Sequence, residues 1–356
     1  MGKLLNKAQQ IKKDFGYTVF LKRTIEYGIF KTKRWIYPKD KNNLANCEAI
    51  HNIHKGKRIF ILGNGPSLNE MPLYLLKDEY KMCFNHFNLM SERVNWFPQF
   101  FAITDDLVFR DMASTLDEEI IPKTEWSFFP DIHTSNINFK KRIKSRDNVI
   151  WLHVDKSEFS DKLPACGIIE SCVNAGIQAA AWMGFTEIYI IGVDLTFFDK
   201  PQSVNKSNSR DLQATEDDPN HFDPRYFGKG KHFHLTPQRG QKEGFKIARE
   251  FFGERGVKIY NAGYGGKLDV LERVDFCSIL SMSDQKKETL FKEAIMSVGG
   301  NSNLTSYTIG VKTDGNFKVS ETEGIKIIKN MIKSHIPLGP FGQEYYFVKR
   351  EKDLIF

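Results

Sequence analysis

Six short runs in this chain are apolar almost without a break, and segments of helix or loop length separate them. Arg58–Leu62, Lys81–Phe84, Phe100–Ile103, Val149–His153, Glu187–Gly192 and Val257–Asn261 read as strands. Strands of near-continuous apolar character are buried on both faces, which is the condition of a parallel sheet covered by helices. Ser171–Met183, rich in Ala, and Pro237–Phe252 read as two of the covering helices. The expected fold class is therefore α/β, with a mostly parallel sheet and helices on both faces.

The 356 residues suffice for one large domain of this kind plus appendages. Residues 1–41 carry eleven Lys and Arg against Asp14, Glu26 and Asp40, whereas the whole chain has a net charge of only +7. The basic excess is thus confined to the N-terminus, which argues against a nucleic-acid-binding core. Leu4/Ile11/Phe15 and Leu21/Ile25/Ile29 follow helical spacing, so residues 1–50 are expected to form a basic amphipathic helical segment. Such a helix either lies on an anionic membrane surface or packs as an extra layer on the main domain. Tyr37–Lys57, with Pro38 and a run of Lys, Asp and Asn, reads as a linker. Residues 51–276 are expected to be the catalytic domain. Residues 277–356 form a small C-terminal α+β module in this reading, with helices at Gln285–Val298 and Glu321–Lys333 and a β element at Thr305–Val319.

Five cysteines, Cys47, Cys83, Cys166, Cys172 and Cys277, include no C-x-x-C pair, so neither a disulfide framework nor a zinc site is indicated. That usage fits a reducing cytoplasm. No apolar run reaches the roughly 18 residues of a membrane span, and no secretory signal pattern opens the sequence. The 29 Phe read as core packing.

Chemistry concentrates just beyond the strand ends, where open parallel sheets bind ligands. Gly63-Asn64-Gly65-Pro66-Ser67-Leu68 follows the first strand, a setting in which backbone N–H groups and a helix N-terminus attract an anion. It is neither a Walker A loop nor the G-x-G-x-x-G fingerprint, and its competing reading is a plain tight turn. Asn85 follows the second strand and can read a base or a ribose, or simply make an Asx turn. Asp105 and Asp106 follow the third strand, and Asp194 ends Ile188–Val193. These carboxylates can hold a metal bridged to a diphosphate, bind ribose hydroxyls, or cap helices. Three of the nine histidines, His221, His232 and His234, fall within fourteen residues beside Tyr226, Lys229 and Lys231. Such a stretch can supply a general base or acid and cationic or phenolic donors for a phosphate leaving group, its competing reading being surface histidines without a role. His232-x-His234 lacks a clear third ligand for a metal. The long polar stretch Asp199–Pro219 before it reads as a functional loop or lid.

Taken together, these segments resemble a superfamily of three groups: bacterial CMP-sialic acid transferases, flagellin nonulosonate transferases, and MptE-like 6-hydroxymethylpterin diphosphokinases. Asp218-Pro-Asn-His221-Phe, Tyr226-Phe-Gly-Lys-Gly230 and Ile259-Tyr-Asn261-Ala-Gly-Tyr-Gly-Gly266 look closest to the MptE-like domain of bacterial surface-polysaccharide proteins. The resemblance spans about residues 57–276 and implies a Rossmann-like domain with a nucleotide in its crevice. Carried over, Gly63, Asn64, Gly65, Pro66, Ser67, Asn85, Asp105 and Asp194 would bind the nucleotide. His234 or His221 would be the base, with Tyr226, Lys229 and Lys231 stabilising the leaving phosphate. The chain departs from the sialyltransferase pattern at Asp105, where that group has Asn, and at Ile168–Ser171, where that group has Arg.

The activity so implied is a transferase using a nucleotide-activated sugar, a CMP-sugar in first place, in surface-polysaccharide or glycoconjugate synthesis. Its acceptor would be a glycan or a lipid-linked glycan, at the cytoplasmic face of a membrane touched by residues 1–41. The alternatives are an ATP-dependent hydroxymethylpterin diphosphokinase that uses Mg²⁺, and a non-catalytic nucleotide-binding module.

Overall fold

The computed structural model describes residues 12, 16–18, 20–22 and 24–32, and then 40–280 apart from 72, 95, 133–137, 145–146, 157, 197–201, 205–210 and 235–237. Apart from residues 277–280, the expected C-terminal module, including both its helices and its β element, lies outside these residues.

The strands in chain order are β1 Arg58–Leu62, β2 Lys81–Phe84, β3 Phe100–Ala102, β4 Trp126–Pro130, β5 Val149–Lys156, β6 Ala165–Gly167, β7 Glu187–Ile191, β8 Gln202–Val204, β9 Asp211–Ala214, β10 His232–His234, β11 Lys258–Asn261 and β12 Glu272–Arg273. Nine of them form one sheet in the order β12-β11-β7-β1-β2-β3-β4-β5-β6. Every neighbouring pair in it is parallel. The fold is α/β and Rossmann-like. β1 shows why its sequence demands this. Phe60 and Leu62 enter the core on one face of the sheet while Ile59 and Ile61 enter the core on the other, all fully buried. A strand with no wet face needs cover on both sides.

That cover includes α1 Lys41–Ala49, α2 Asp106–Thr115, α3 Cys172–Trp182 and α4 Gln238–Gly253. Ser171 caps α3 by accepting from the Val173 N–H, and α3 then packs on β1, β2 and β3 with α4 beside it. From β1 the chain adds β2 to β6 on one side, then crosses back to add β7, β11 and β12 on the other. The strand order reverses between β1 and β7, the position at whose carboxyl ends open α/β sheets bind ligands.

Two expectations need correction. The linker read at Tyr37–Lys57 contains α1. Asp40 caps it by accepting from the Asn43 N–H, and the Asn43 amide bridges both backbone groups of Trp151 in β5, at 2.9 and 2.7 Å. That long-range amide bridge leaves no periodic signal, so a Lys- and Asn-rich helix passes for a linker. The polar stretch read as a lid carries β8 and β9, which with β10 make a separate antiparallel sheet in the order β10-β9-β8. This small sheet packs on α2 through β10.

No helix among the described residues is long and apolar enough to cross a membrane.

Candidate active site

β1 runs out into the glycine turn and a short 3₁₀ segment, Pro66–Glu70. The sequence assigns the turn's N–H groups to a phosphate; in the structure they donate within the chain. Gly63 N–H donates to the Ile191 carbonyl at 2.8 Å and Gly65 N–H to the Gly192 carbonyl at 2.7 Å. The Asp194 carboxylate accepts from the Ser67 N–H at 2.9 Å and from its hydroxyl at 2.5 Å. Asp194 therefore occupies the anion position at the start of Pro66–Glu70, the place the phosphate reading reserved for a ligand. A Cβ on Gly63 would meet the Gly192 carbonyl, and one on Gly65 would meet the Asp194 carboxylate. The two glycines let the loops after β1 and β7 touch.

Between the two glycines stands Asn64, which is buried. Its Nδ2 donates to the Phe84 carbonyl at 3.3 Å and to the Tyr226 hydroxyl at 3.1 Å, while its Oδ1 is buried with no hydrogen-bond partner. Asn85, just after β2, takes a left-handed backbone with φ 53° and also has a buried, unpartnered Oδ1. Its Nδ2 lies 3.8 Å from Cys172 Sγ at the start of α3. Burial pushes the Cys172 thiol up to about 12 and the Tyr226 phenol well above its ordinary value, so both stay protonated at neutral pH.

Asp105 does two things at once. Its Oδ1 caps α2, accepting from the Leu107 and Val108 N–H groups at 2.8 and 3.1 Å, and its Oδ2 lies 2.7 Å from His234 Nδ1. Both side chains are partly exposed, at 30% and 28%. The neighbouring Asp106 is buried and pairs with Arg110 at 2.8 Å. One ligand atom from each of Asp105, Asp106 and His234 lies within 4.8 Å of the others, so a cation could be accommodated. The donors, however, are already committed: two backbone N–H groups and an imidazole hold Asp105, and a guanidinium holds Asp106. The set fits a carboxylate-oriented histidine better than a cation.

His221 forms a second such pair, its Nδ1 2.7 Å from the buried Asp218, and its ring stacks on Tyr226 with centroids 3.9 Å apart. The loop carrying it is tied down from below. Phe222 N–H donates to the Asn64 carbonyl at 3.0 Å, and Arg93 donates to Asn69 at 2.7 Å and to Asp223 at 2.7 Å. Arg225, with Arg93 beyond it, holds the Asp223 carboxyl down at about 2. Lys231 Nζ donates to the Tyr226 carbonyl at 3.2 Å, which makes it a brace for the loop; Lys229 and His232 are exposed.

Two comparisons find nothing: no protein-family model and no curated protein matches the chain. Among solved structures, the MAf glycosyltransferase from Magnetospirillum magneticum AMB-1 is similar, with 13% identity and a TM-score of 0.38. The likeness covers 86% of this chain and 52% of that one, so the chain spans about half the length of that protein.

Contacts thus join Asn64, Tyr226 and His221 in one cluster and Asp105 with His234 in another, beyond the ends of β1 and β3, with Asn85 just after β2. Residue-by-residue reading missed Asp218, Arg93, Cys172 and His86. Asp218 was findable, since it stands three residues before His221 in a Pro-containing turn. His86 is buried edge-on against Tyr226 with its Nε2 unpartnered. Burial, reinforced by the Lys231 ammonium and by His221, pushes its imidazole down to about 3. The unfolded chain therefore binds a proton here between about pH 6.5 and 3 that the folded chain refuses. This group's share of stability is complete above pH 6.5 and is lost as the pH falls. Chemical denaturation at pH 7 and pH 5 is expected to show a loss of about 2 kcal/mol that His86→Phe abolishes. Equal pH dependence in both proteins would place the titration elsewhere.

Proposed function

We propose that this chain is a transferase of the glycosyltransferase type that draws its sugar from a nucleotide-activated donor, a CMP-linked acidic sugar in first place. The observation that carries this reading is the His234–Asp105 pair at the carboxyl end of β3. A carboxylate on Nδ1 fixes the tautomer and the orientation of the ring, so Nε2 is the nitrogen that takes a proton. In the transfer, the acceptor's hydroxyl oxygen bonds to the anomeric carbon as the bond from that carbon to the donor phosphate breaks. The hydroxyl proton goes to His234, and the nucleotide departs with the bonding pair.

In this reading Asn64 and Asn85 hold the nucleotide. Their buried Oδ1 atoms suit the exocyclic amine of cytosine or the ribose hydroxyls. The Tyr226 phenol accepts from Asn64 and, being protonated, donates toward the leaving phosphate. The acceptor is a glycan or a lipid-linked glycan in surface-polysaccharide or glycoconjugate synthesis. Diphosphoryl transfer from ATP to a hydroxymethylpterin would need Asp105 and Asp106 on Mg²⁺. Their engagement with N–H groups, His234 and Arg110 weighs against that alternative.

Nucleotide release from CMP-, UDP- and GDP-sugars, with and without acceptor glycans, tests the proposal. Release of CMP is the expected result. AMP release that requires both ATP and a hydroxymethylpterin would replace it with the diphosphokinase reading. Nucleotide binding with no turnover of any donor would leave a binding module.

A further inference from the structure

The described residues from 17 to 32 are helical. Tyr17, Leu21, Ile25 and Ile29 on this helix are 62%, 46%, 54% and 45% exposed. At about 100° per residue, their spacing of four places them in one stripe about 120° wide. Thr18, Gly28 and Thr32 share that sector, Thr24 stands at its edge, and no charged residue falls inside it. Phe30, on the opposite side, is 1% exposed. Lys22 and Lys31 stand at the two borders of the stripe.

An apolar helix face turned to solvent needs a partner. Charge identifies its chemistry. Residues 1–41 hold eleven basic residues against three acidic ones, while the whole chain is only +7. We propose that this helix lies in the surface of an anionic lipid bilayer, with Tyr17, Leu21, Ile25 and Ile29 in the headgroup boundary. Lys22, Lys31 and the neighbouring basic residues then meet lipid phosphates. Of the two readings the sequence leaves open, membrane surface or packing layer, the exposed stripe favours the first, because a packing layer would bury it.

Cosedimentation of the full chain with phosphatidylcholine vesicles, with and without phosphatidylglycerol, tests this. Association is expected to be at least about tenfold stronger with the anionic vesicles and to weaken as salt shortens the screening length. Replacing Leu21→Glu, Ile25→Glu and Ile29→Glu together is expected to remove it while the melting temperature stays unchanged. Lys22→Glu with Lys31→Glu should weaken it by about tenfold or more, since each near-surface lysine contributes on that scale. Equal association with neutral vesicles, or none with either, would overturn the proposal. So would a lowered melting temperature in the triple variant, which would mean that the chain itself covers the stripe. A dimer dispersed by the same variant would make a second copy the partner.

Discussion

His234→Ala is expected to slow sugar transfer by roughly 10²- to 10⁴-fold, the range a positioned general base supplies. His221→Ala should cost much less. The structure separates the two histidines by their surroundings. His221 lies flat on Tyr226, with a carboxylate partner that is almost wholly buried, and its loop is pinned by Arg93. That arrangement makes it a support for the phenol. His234 stands on a small separate sheet beside the strand ends, and both it and Asp105 are reachable. Asp105→Asn is the sharper probe. An asparagine can still cap α2, so folding should be spared, yet it cannot hold the imidazole as a carboxylate does. The expected signature is a normal melting curve with turnover reduced nearly as far as in His234→Ala, read as nucleotide release from the donor. A larger loss from His221→Ala than from His234→Ala would transfer the base assignment to His221.

The sheet was legible because its strands have no polar face. Arg58–Leu62, Glu187–Ile191 and Lys258–Asn261 announce a buried parallel sheet through apolar content alone, and the helix at Cys172–Trp182 through its alanines. Trp126–Pro130 was hidden because a five-residue strand that closes on proline carries a turn signal as well as an apolar one. The short β6 and β12, at the two ends of the sheet, give too little pattern to read. The site was legible as a set of positions and not as a set of partnerships. Asn85, Asp105, Tyr226 and His234 could be placed near one crevice because each follows a strand end or lies in the histidine-rich stretch. That Asp105 meets His234 across 129 positions of sequence follows from where the small antiparallel sheet docks, and its strands have a weak local signal. Capping and ligand binding demand the same residue types at the same places, which is why Asp194 read as a ligand-binding carboxylate with capping as its competing role.

The glycine turn shows the same ambiguity, and one substitution resolves it. Gly63→Ala is expected to destabilise the fold by about 3 kcal/mol or more, because the added methyl meets backbone of the facing loop. The backbone at Gly63 is not left-handed, so alanine carries no conformational penalty there. Without the contact, Gly→Ala would stabilise by about 0.4–1 kcal/mol. The sign of the change therefore reports the clash directly. Gly65→Ala should cost less, since the nearest group it meets is the end of the Asp194 side chain, which can swing away at the expense of its bonds to Ser67, and the Gly192 carbonyl stands 2.9 Å off rather than the 2.3 Å met at Gly63. Loss of that cap is worth about 1–2 kcal/mol. If instead the glycines served only the close approach of a phosphate, both variants would unfold at a denaturant midpoint slightly above that of the wild type. Beyond that small gain they would differ from wild type in losing the thermal shift with nucleotide. A graded loss, Gly63→Ala beyond Gly65→Ala, is what contact between the β1 and β7 loops requires, and it would leave Asn64 as the turn's contribution to the ligand.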